Sequence, residues 1–261
     1  MISVLSVSGG MDSTSLLIHL LNRGDTVYTV SFDYGQKHKV ELERLQQNLQ
    51  YLKSKGFNVH HKIIDVRSAF EGIASALTTA NEEVPKGFYA EENMKKTVVP
   101  NRNAIFASIT YGYALSISNQ TEQPVDLAMG THSGDHAIYP DCREGFFQTL
   151  FTAFEEGNWN GDKVQRYLPY INGDKETILV DCLQCCQNLG LDFDTVLANT
   201  NTSYEPDEQG RANGYTGSDV ERVLAFHAIG RIDPVEYVDG WQATLQYALK
   251  AEQDYNAKQV N

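Results

Sequence analysis

Ser8-Gly9-Gly10-Met11-Asp12-Ser13-Thr14 follows directly on the apolar run Ile2-Ser3-Val4-Leu5-Ser6-Val7, and its residue types suit the binding of a phosphate. Glycine adopts positive φ and lets a ligand approach the backbone, so successive amides can converge on an anion. The helix expected next, through Leu16-Leu17-Ile18-His19-Leu20-Leu21, presents its positive dipole end and unpaired amides to the same point. Ser8, Ser13 and Thr14 add hydroxyl donors, and Asp12 either caps the helix or binds a magnesium ion. The same residue types also make an ordinary strand–turn–helix junction. The full string behind a buried strand favours phosphate. No Gly-x-x-x-x-Gly-Lys-Ser/Thr occurs, so this is not a Walker loop.

Three further strings carry polar chemistry. Ser31-Phe32-Asp33-Tyr34-Gly35-Gln36-Lys37-His38, with Glu41, offers backbone edges for an adenine and a carboxylate for a metal or ribose; the alternative is a polar turn before a helix. Val99-Pro100-Asn101-Arg102-Asn103-Ala104-Ile105-Phe106 opens a helix, where Arg102 either neutralises a phosphate or carboxylate by a bidentate pair or makes a structural salt bridge. Gly130, Asp135 and then Tyr139-Pro140-Asp141-Cys142-Arg143 with Phe146 form the third, rigidified by its proline. No neighbour depresses the Cys142 pKa, so packing or a substrate contact is preferred to a nucleophile. His132 and His136, near the same loop, either relay protons or are plain loop histidines.

These strings must be positioned by strands that alternate with helices. Val27–Phe32 is expected as a second strand, Val40–Leu52 as a helix, His60–Ile64 as a strand and Asn103–Ser116 as a largely buried helix. Val125–Met129 is a further strand ending at Gly130, Phe146–Phe154 a helix, and Tyr167-Leu168-Pro169-Tyr170 leads into another near Lys175. The region 69–97 reads as a loop-rich insertion able to move over a site. Such alternation predicts an α/β fold with a doubly wound, mostly parallel sheet of Rossmann type, and ligands there sit at the carboxyl ends of the strands. Ser8–Thr14, Asp33–His38 and Gly130–Arg143 all follow strand ends, so they can share one crevice. After Asp239, Trp241, Leu245, Ala248 or Leu249, and Tyr255 fall near helical spacing; this small helical extension docks on its own domain, on a second copy or on a partner.

Composition narrows the class. The 261 residues suffice for one large domain with a full core, and no apolar run approaches the length of a membrane span. The first residues have neither a basic stretch nor a cleavable apolar region, so a cytoplasmic protein is expected. A net charge of −13 argues against direct nucleic-acid binding. Of the four cysteines, Cys182, Cys185 and Cys186 share one face of a helix with Ile178 and Leu189, which suits buried thiols rather than a metal cluster.

The first loop is similar to the Ser-Gly-Gly-x-Asp-Ser signature of the PP-loop ATP pyrophosphatases (adenine nucleotide α-hydrolase-like). The four strings together, in this order, resemble the 7-cyano-7-deazaguanine synthase (QueC-like) family of that superfamily, from residue 1 to about Tyr237. The resemblance implies ATP and Mg2+ as cofactors, with Ser8, Gly9, Gly10, Asp12, Ser13, Thr14, Phe32 and Asp33 on the nucleotide and Asp12 near the metal. It implies Lys175, Arg102 and Asp12 as catalytic residues, with Lys175 stabilising charge on the α-phosphate. It places Tyr34, Gln36, Asn103, Phe106, Asp135, Tyr139, Asp141 and Arg143 on a deazaguanine base, where a carboxylate accepts from N1–H and the exocyclic amine and an aromatic ring stacks. The implied reaction is adenylation of the carboxylate of 7-carboxy-7-deazaguanine with loss of pyrophosphate, then attack by ammonia to give amide and nitrile. A homodimer is implied too.

The chain departs from that family at its end. Four cysteines that hold zinc there are replaced here by Ser203, Asn213, Thr216 and Asp219, with Arg222 and Ala225-Phe226 retained. Structural zinc wants thiolate or imidazole, so no zinc is expected, and the loop should fold through hydrogen bonds. The expected organisation is a PP-loop α/β domain over 1–200, the remnant of the zinc subdomain over 201–238 and a C-terminal helix over 239–261. Zinc-less relatives from antiviral operons join a deazaguanine to a partner protein, so a protein amine stands as the alternative acceptor. A nucleotide-binding scaffold without turnover is a third reading.

Overall fold

The computed structural model describes residues 1–37, 40–79 and 82–259. Five strands form one wholly parallel sheet: β1 (Ile2–Ser6), β2 (Thr26–Asp33), β3 (His60–Asp65), β4 (Val125–Met129) and β5 (Val164–Tyr167), in the spatial order β3-β2-β1-β4-β5. The order reverses between β1 and β4, where Val4 lies opposite both Tyr28 and Leu127. Connections leaving β1 and β4 run to opposite sides of that point, which opens a crevice at their carboxyl ends.

Alternation along β1 sends Leu5 to one face and Val4 to the other, and each face is covered by helices. On the first face lie α1 (Met11–Asn22), α2 (Val40–Ser54) and α6 (Lys175–Leu189). Helix α1 is apolar nearly all round because α6 covers its outer side: Leu16, Leu17, Ile18 and Leu20 are fully buried. Cys182, Cys185 and Cys186 belong to that core, as their spacing indicates. Cys185 also lies near His19 and Asp181, whose polar atoms are engaged by Tyr167 and Tyr170 in a network tying α1, α6 and the end of β5 together.

The second face carries a four-residue turn α3 (Arg67–Phe70), then α4 (Arg102–Thr121) and α5 (Glu144–Glu156). Several elements were not evident from the sequence, α3 and the helix over 217–228 among them. Strand β5 is four residues long with Gln165 and Arg166 at its centre, so it lacks an apolar run, and α7 (Phe193–Ala198) is too short to show periodicity. The region 69–97 is largely irregular, with a 3-10 turn at Glu92–Thr97. Its Tyr89 and Met94 pack with Ile138, Tyr139 and Cys142.

The last segment forms α8 (Gly217–Ala228) and α9 (Gly240–Gln259). The tail docks on its own chain. Ala248 and Leu245 of α9 pack with Val220 and Val223 of α8, and Tyr255 stacks on Phe88 at 4.6 Å. Among the described residues no helix is long and apolar enough to cross a membrane.

Candidate active site

The cavity at the β1/β4 switch point is floored by the Ser8–Ser13 loop. Gly9 stands at φ +98°, and the turn places the amide of Gly10 on Ser8 Oγ (3.1 Å) and that of Ser8 on Ser13 Oγ (3.2 Å). Gly9 O accepts from Asn201 N at 3.0 Å, which ties the loop to the chain leading into α8. Helix α1 begins at Met11, so its free amides face the same space.

Beside the loop, Lys175 Nζ at the start of α6 donates to Asp12 Oδ2 at 2.7 Å. Burial would raise the Asp12 carboxyl, but Lys175 and His132 outweigh it and hold it below its ordinary range. Burial would likewise lower the Lys175 ammonium, and Asp12, Glu221 and Asp135 reverse this and raise it. Asp12 Oδ1 and Thr131 Oγ1 are buried without a hydrogen-bond partner. A buried polar atom left unpaired is costly, and both of these residues line the cavity. The glycine turn, the helix end, Lys175 and the orphaned Asp12 oxygen fit a magnesium-bound polyphosphate.

The far wall comes from β2, α4 and the loop after β4. Phe32 stacks on Phe106 at 4.1 Å between ring centres, and Tyr34 packs edge-on to Phe106. Arg102 lies beside the phenols of Tyr34, Tyr139 and Tyr204. Among the described residues no carboxylate lies within ion-pair distance of its guanidinium. Asp135 accepts from Tyr89 Oη at 2.8 Å. Glu41 also lines the cavity, and burial pushes its carboxyl up to about 8, only partly offset by Gln36 and Arg102.

Ser8, Gly10, Asp12, Ser13, Phe32, Tyr34, Arg102, Asn103, Phe106, Asp135, Tyr139 and Lys175 all line this one cavity. Other residues singled out from the sequence stand behind it. Thr14 is buried within α1, and Asp33 Oδ1 accepts from Gly35 N. Gln36 accepts from Tyr34 N and donates to Phe32 O and Glu41 Oε1, so it shapes the turn. Asp141 accepts from Asn103 N at the start of α4, and Arg143 donates to His136 O. His38 lies outside the described residues. Tyr89, Thr131, Asn201, Thr202, Tyr204 and Ser218 line the cavity without having been singled out as site residues. Thr202, Tyr204 and Ser218 carried a signal, from their places beside Ser203 and Asp219 in the altered loop. Cys142 also lines the cavity, buried with its thiol pushed up by desolvation and its sulfur taking a hydrogen bond from Asn103 Nδ2, which fits packing or a substrate contact and not a nucleophile.

The four altered positions of the C-terminal loop converge. Asp219 Oδ2 accepts from Thr216 Oγ1 (2.6 Å), Ser203 Oγ (3.1 Å) and Thr216 N (3.2 Å), and Ser203 Oγ in turn accepts from Asn213 N. Thr216 and Asp219 form a capping box that starts α8. The donor set offers no thiolate or imidazole and is satisfied internally, so it does not fit zinc. Desolvation pushes Asp219 up to about 6, against the pull of Thr216, Ser203 and Arg222. A carboxyl raised in the folded state stabilises that state at low pH, and the contribution is lost as pH rises through the folded value. Asp219→Asn is expected to flatten the stability–pH curve between about pH 4 and 6, removing a fall of up to about 3 kcal/mol. Denaturant midpoints across that range check this; two parallel curves would count against it.

A parallel α/β sheet with a glycine-rich anion loop after β1, at the switch point, defines an adenine-nucleotide-binding protein of the PP-loop class. Residues 2–230 match the family described as queuosine biosynthesis protein QueC, and the chain belongs to that family. It is 40% identical over 235 residues to the 7-cyano-7-deazaguanine synthase of Caldicellulosiruptor saccharolyticus, covering 90% of this chain and 95% of that one. The synthase of Methanoregula boonei is also 40% identical over 235 residues, covering 90% and 98%. Among solved structures, NMN synthetase from Francisella tularensis aligns over 96% of this chain and 85% of its own, at 11% identity and a TM-score of 0.40.

Proposed function

We propose that this chain is an ATP-dependent ligase that adenylates the carboxylate of 7-carboxy-7-deazaguanine and passes the acyl group to ammonia. A carboxylate oxygen attacks the α-phosphorus, a C–O–P link forms, and the bond to the β-phosphate breaks to release pyrophosphate. Ammonia then attacks the acyl carbon, AMP leaves with the bridging oxygen, and the surplus proton goes to solvent. The amide oxygen then attacks the α-phosphorus of a second ATP with loss of a second pyrophosphate, and AMP leaves with that oxygen as the nitrogen gives its two protons to solvent, leaving the nitrile.

The observation that carries this reading is the placement, in one cavity, of an anion loop and the Arg102 guanidinium, which makes no salt bridge to a carboxylate of the described residues. Ser8, Gly9, Gly10 and Ser13 take the β- and γ-phosphates, Lys175 takes charge developing at the α-phosphate, and Arg102 receives the substrate carboxylate. Phe32 and Phe106 with Tyr34 form the aromatic wall for the flat rings, and Asp135 accepts from the base. Asp12, whose Oδ1 has no partner, would hold magnesium, which would neutralise charge on the departing pyrophosphate.

Arg102→Leu is expected to raise KM for the deazaguanine acid about thirtyfold or more, with KM for ATP moving little, because a charge-assisted pair of about 2 kcal/mol is lost on one substrate only. Equal effects on both substrates would place Arg102 on the nucleotide. The activity itself is tested by incubating the protein with ATP, magnesium, 7-carboxy-7-deazaguanine and ammonium and following AMP and base by mass spectrometry. Amide or nitrile with AMP is the expected result. Added mass on a partner protein, with no released amide, moves the acceptor to a protein amine; absence of AMP overturns the reading.

A further inference from the structure

Lys175 has a second carboxylate neighbour that the reaction scheme above leaves unused. Glu221, on the second turn of α8, places Oε2 at 3.3 Å from Lys175 Nζ. The contact is ionic rather than an aligned hydrogen bond, since Oε2 has no hydrogen-bond partner. Its other oxygen, Oε1, rests against Gly134, where a side chain at that glycine would overlap both Glu221 Oε1 and the His132 ring. The chain is therefore shaped to admit this carboxylate.

His132 cannot stand in for it. Its Nδ1 accepts from Gly134 N at 3.1 Å, so the ring proton sits on Nε2. Nε2 at 3.3 Å from Lys175 Nζ is thus a donor facing a donor. Among the described residues, Asp12 and Glu221 are the carboxylates within salt-bridge distance of Lys175, with Asp135 acting from farther off. Asp12 is also the residue placed on the nucleotide's metal, and a carboxylate turned toward a metal gives up part of its hold on an ammonium.

We propose that Glu221 is a positioning residue for Lys175: it tethers the ammonium when Asp12 turns to the magnesium–nucleotide, and the loop of Ser203, Thr216 and Asp219 fixes the helix that carries it. This rests on the adenylation reading given above. The tether has a rigid mount. The capping box sets the start of α8, and one turn on, Arg222 pairs with Asp233 at 2.6 Å and donates to Thr200 and to Thr202, itself a cavity residue. A change in the loop is thereby read at Lys175 through a single helix, with no separate domain motion.

The test compares pyrophosphate release by Glu221→Leu, Glu221→Gln and the parent protein, each alone and combined with Lys175→Gln. Glu221→Leu is expected to lower kcat about thirtyfold with KM for ATP within about threefold, and Glu221→Gln, which keeps an acceptor, to restore most of it. In the Lys175→Gln background neither change should cost anything more, because the group being positioned is gone. Losses that simply add to that of Lys175→Gln, or that fall on KM for ATP, or that spare pyrophosphate release and strike only the amine step, would overturn the proposal. The glutamine variant is close to isosteric and keeps the comparison usable should the leucine variant fail to fold. A parent protein that releases no pyrophosphate with this acid would refute the adenylation reading itself; an active parent with unaffected variants would refute only the tether.

Discussion

Replacing Lys175 by glutamine is expected to slow pyrophosphate release about a thousandfold while leaving a folded protein. Lys175 supplies a positive charge beside the phosphate loop, at the first residue of α6 and with 5% of its surface exposed. A fixed cation in a water-poor site stabilises developing negative charge far more than it would in bulk water, and removing one such donor costs about 10²–10³ in rate. Glutamine can still donate to Asp12, so the local packing survives, but it brings no charge. Some stability is lost as well, since Asp12 and Glu221 then face each other without a cation, about 22% and 19% exposed. The two effects separate by measurement: circular dichroism reports the fold, and single-turnover pyrophosphate release reports the chemistry. A variant that keeps its rate would remove Lys175 from the reaction.

Gly9→Ala is expected to abolish turnover and to lower the melting temperature by about 4–20 °C. The backbone at Gly9 lies at φ +98°, where an L side chain is strained by about 1–2 kcal/mol. Space is the larger obstacle. A Cβ there would overlap the Glu41 carbonyl and come within 3.2 Å of Leu45 Cβ, at the side of α2 that packs on the loop. Backbone cannot rotate away as a flexible side-chain tip can, so α2 or the loop must shift, adding about 1–3 kcal/mol. Each kcal/mol corresponds to about 2–4 °C in a chain of this size. Displacing the loop also moves the amides meant for phosphate, and an ångström of misplacement is costly to catalysis. Calorimetry with and without ATP and magnesium checks both parts: the parent should be stabilised by the nucleotide and the variant should not. An unshifted melting temperature would mean that α2 yields more easily than its packing suggests.

Glu41 sharpens the contrast between local and distant information. Its position five residues beyond Gln36 marks it as the end of a polar turn, yet its carbonyl shapes the phosphate loop and its carboxyl is driven up to about 8 inside the cavity. Nothing in the spacing around residue 41 reveals either role. The same holds for Asp219, which the sequence presents as a lost metal ligand. The fold makes it the acceptor for three donors and the cap of α8.

What the sequence by itself determined is whatever is coded within one strand, turn and helix. Ser8–Thr14 could be read as an anion loop because the apolar strand, the glycines and the helix start are contiguous, and the core role of Cys182, Cys185 and Cys186 followed from helical spacing alone. The order of the four strings gave the family and the doubly wound sheet. Tertiary structure decided which polar residues face the cavity. Gln36, Asp141 and Arg143 have the chemistry of ligand-binding groups, but their side chains are taken up by backbone of the turns they stabilise. Tyr89 and Tyr204 come to the cavity from an irregular insertion and from the altered loop, segments whose paths no local period encodes. Glu221 reaches Lys175 across 46 positions of sequence, through the rotation of α8 about its own axis. That rotation is set by the capping box, the Arg222–Asp233 pair and packing on the core, long-range contacts that exist only once the chain has folded.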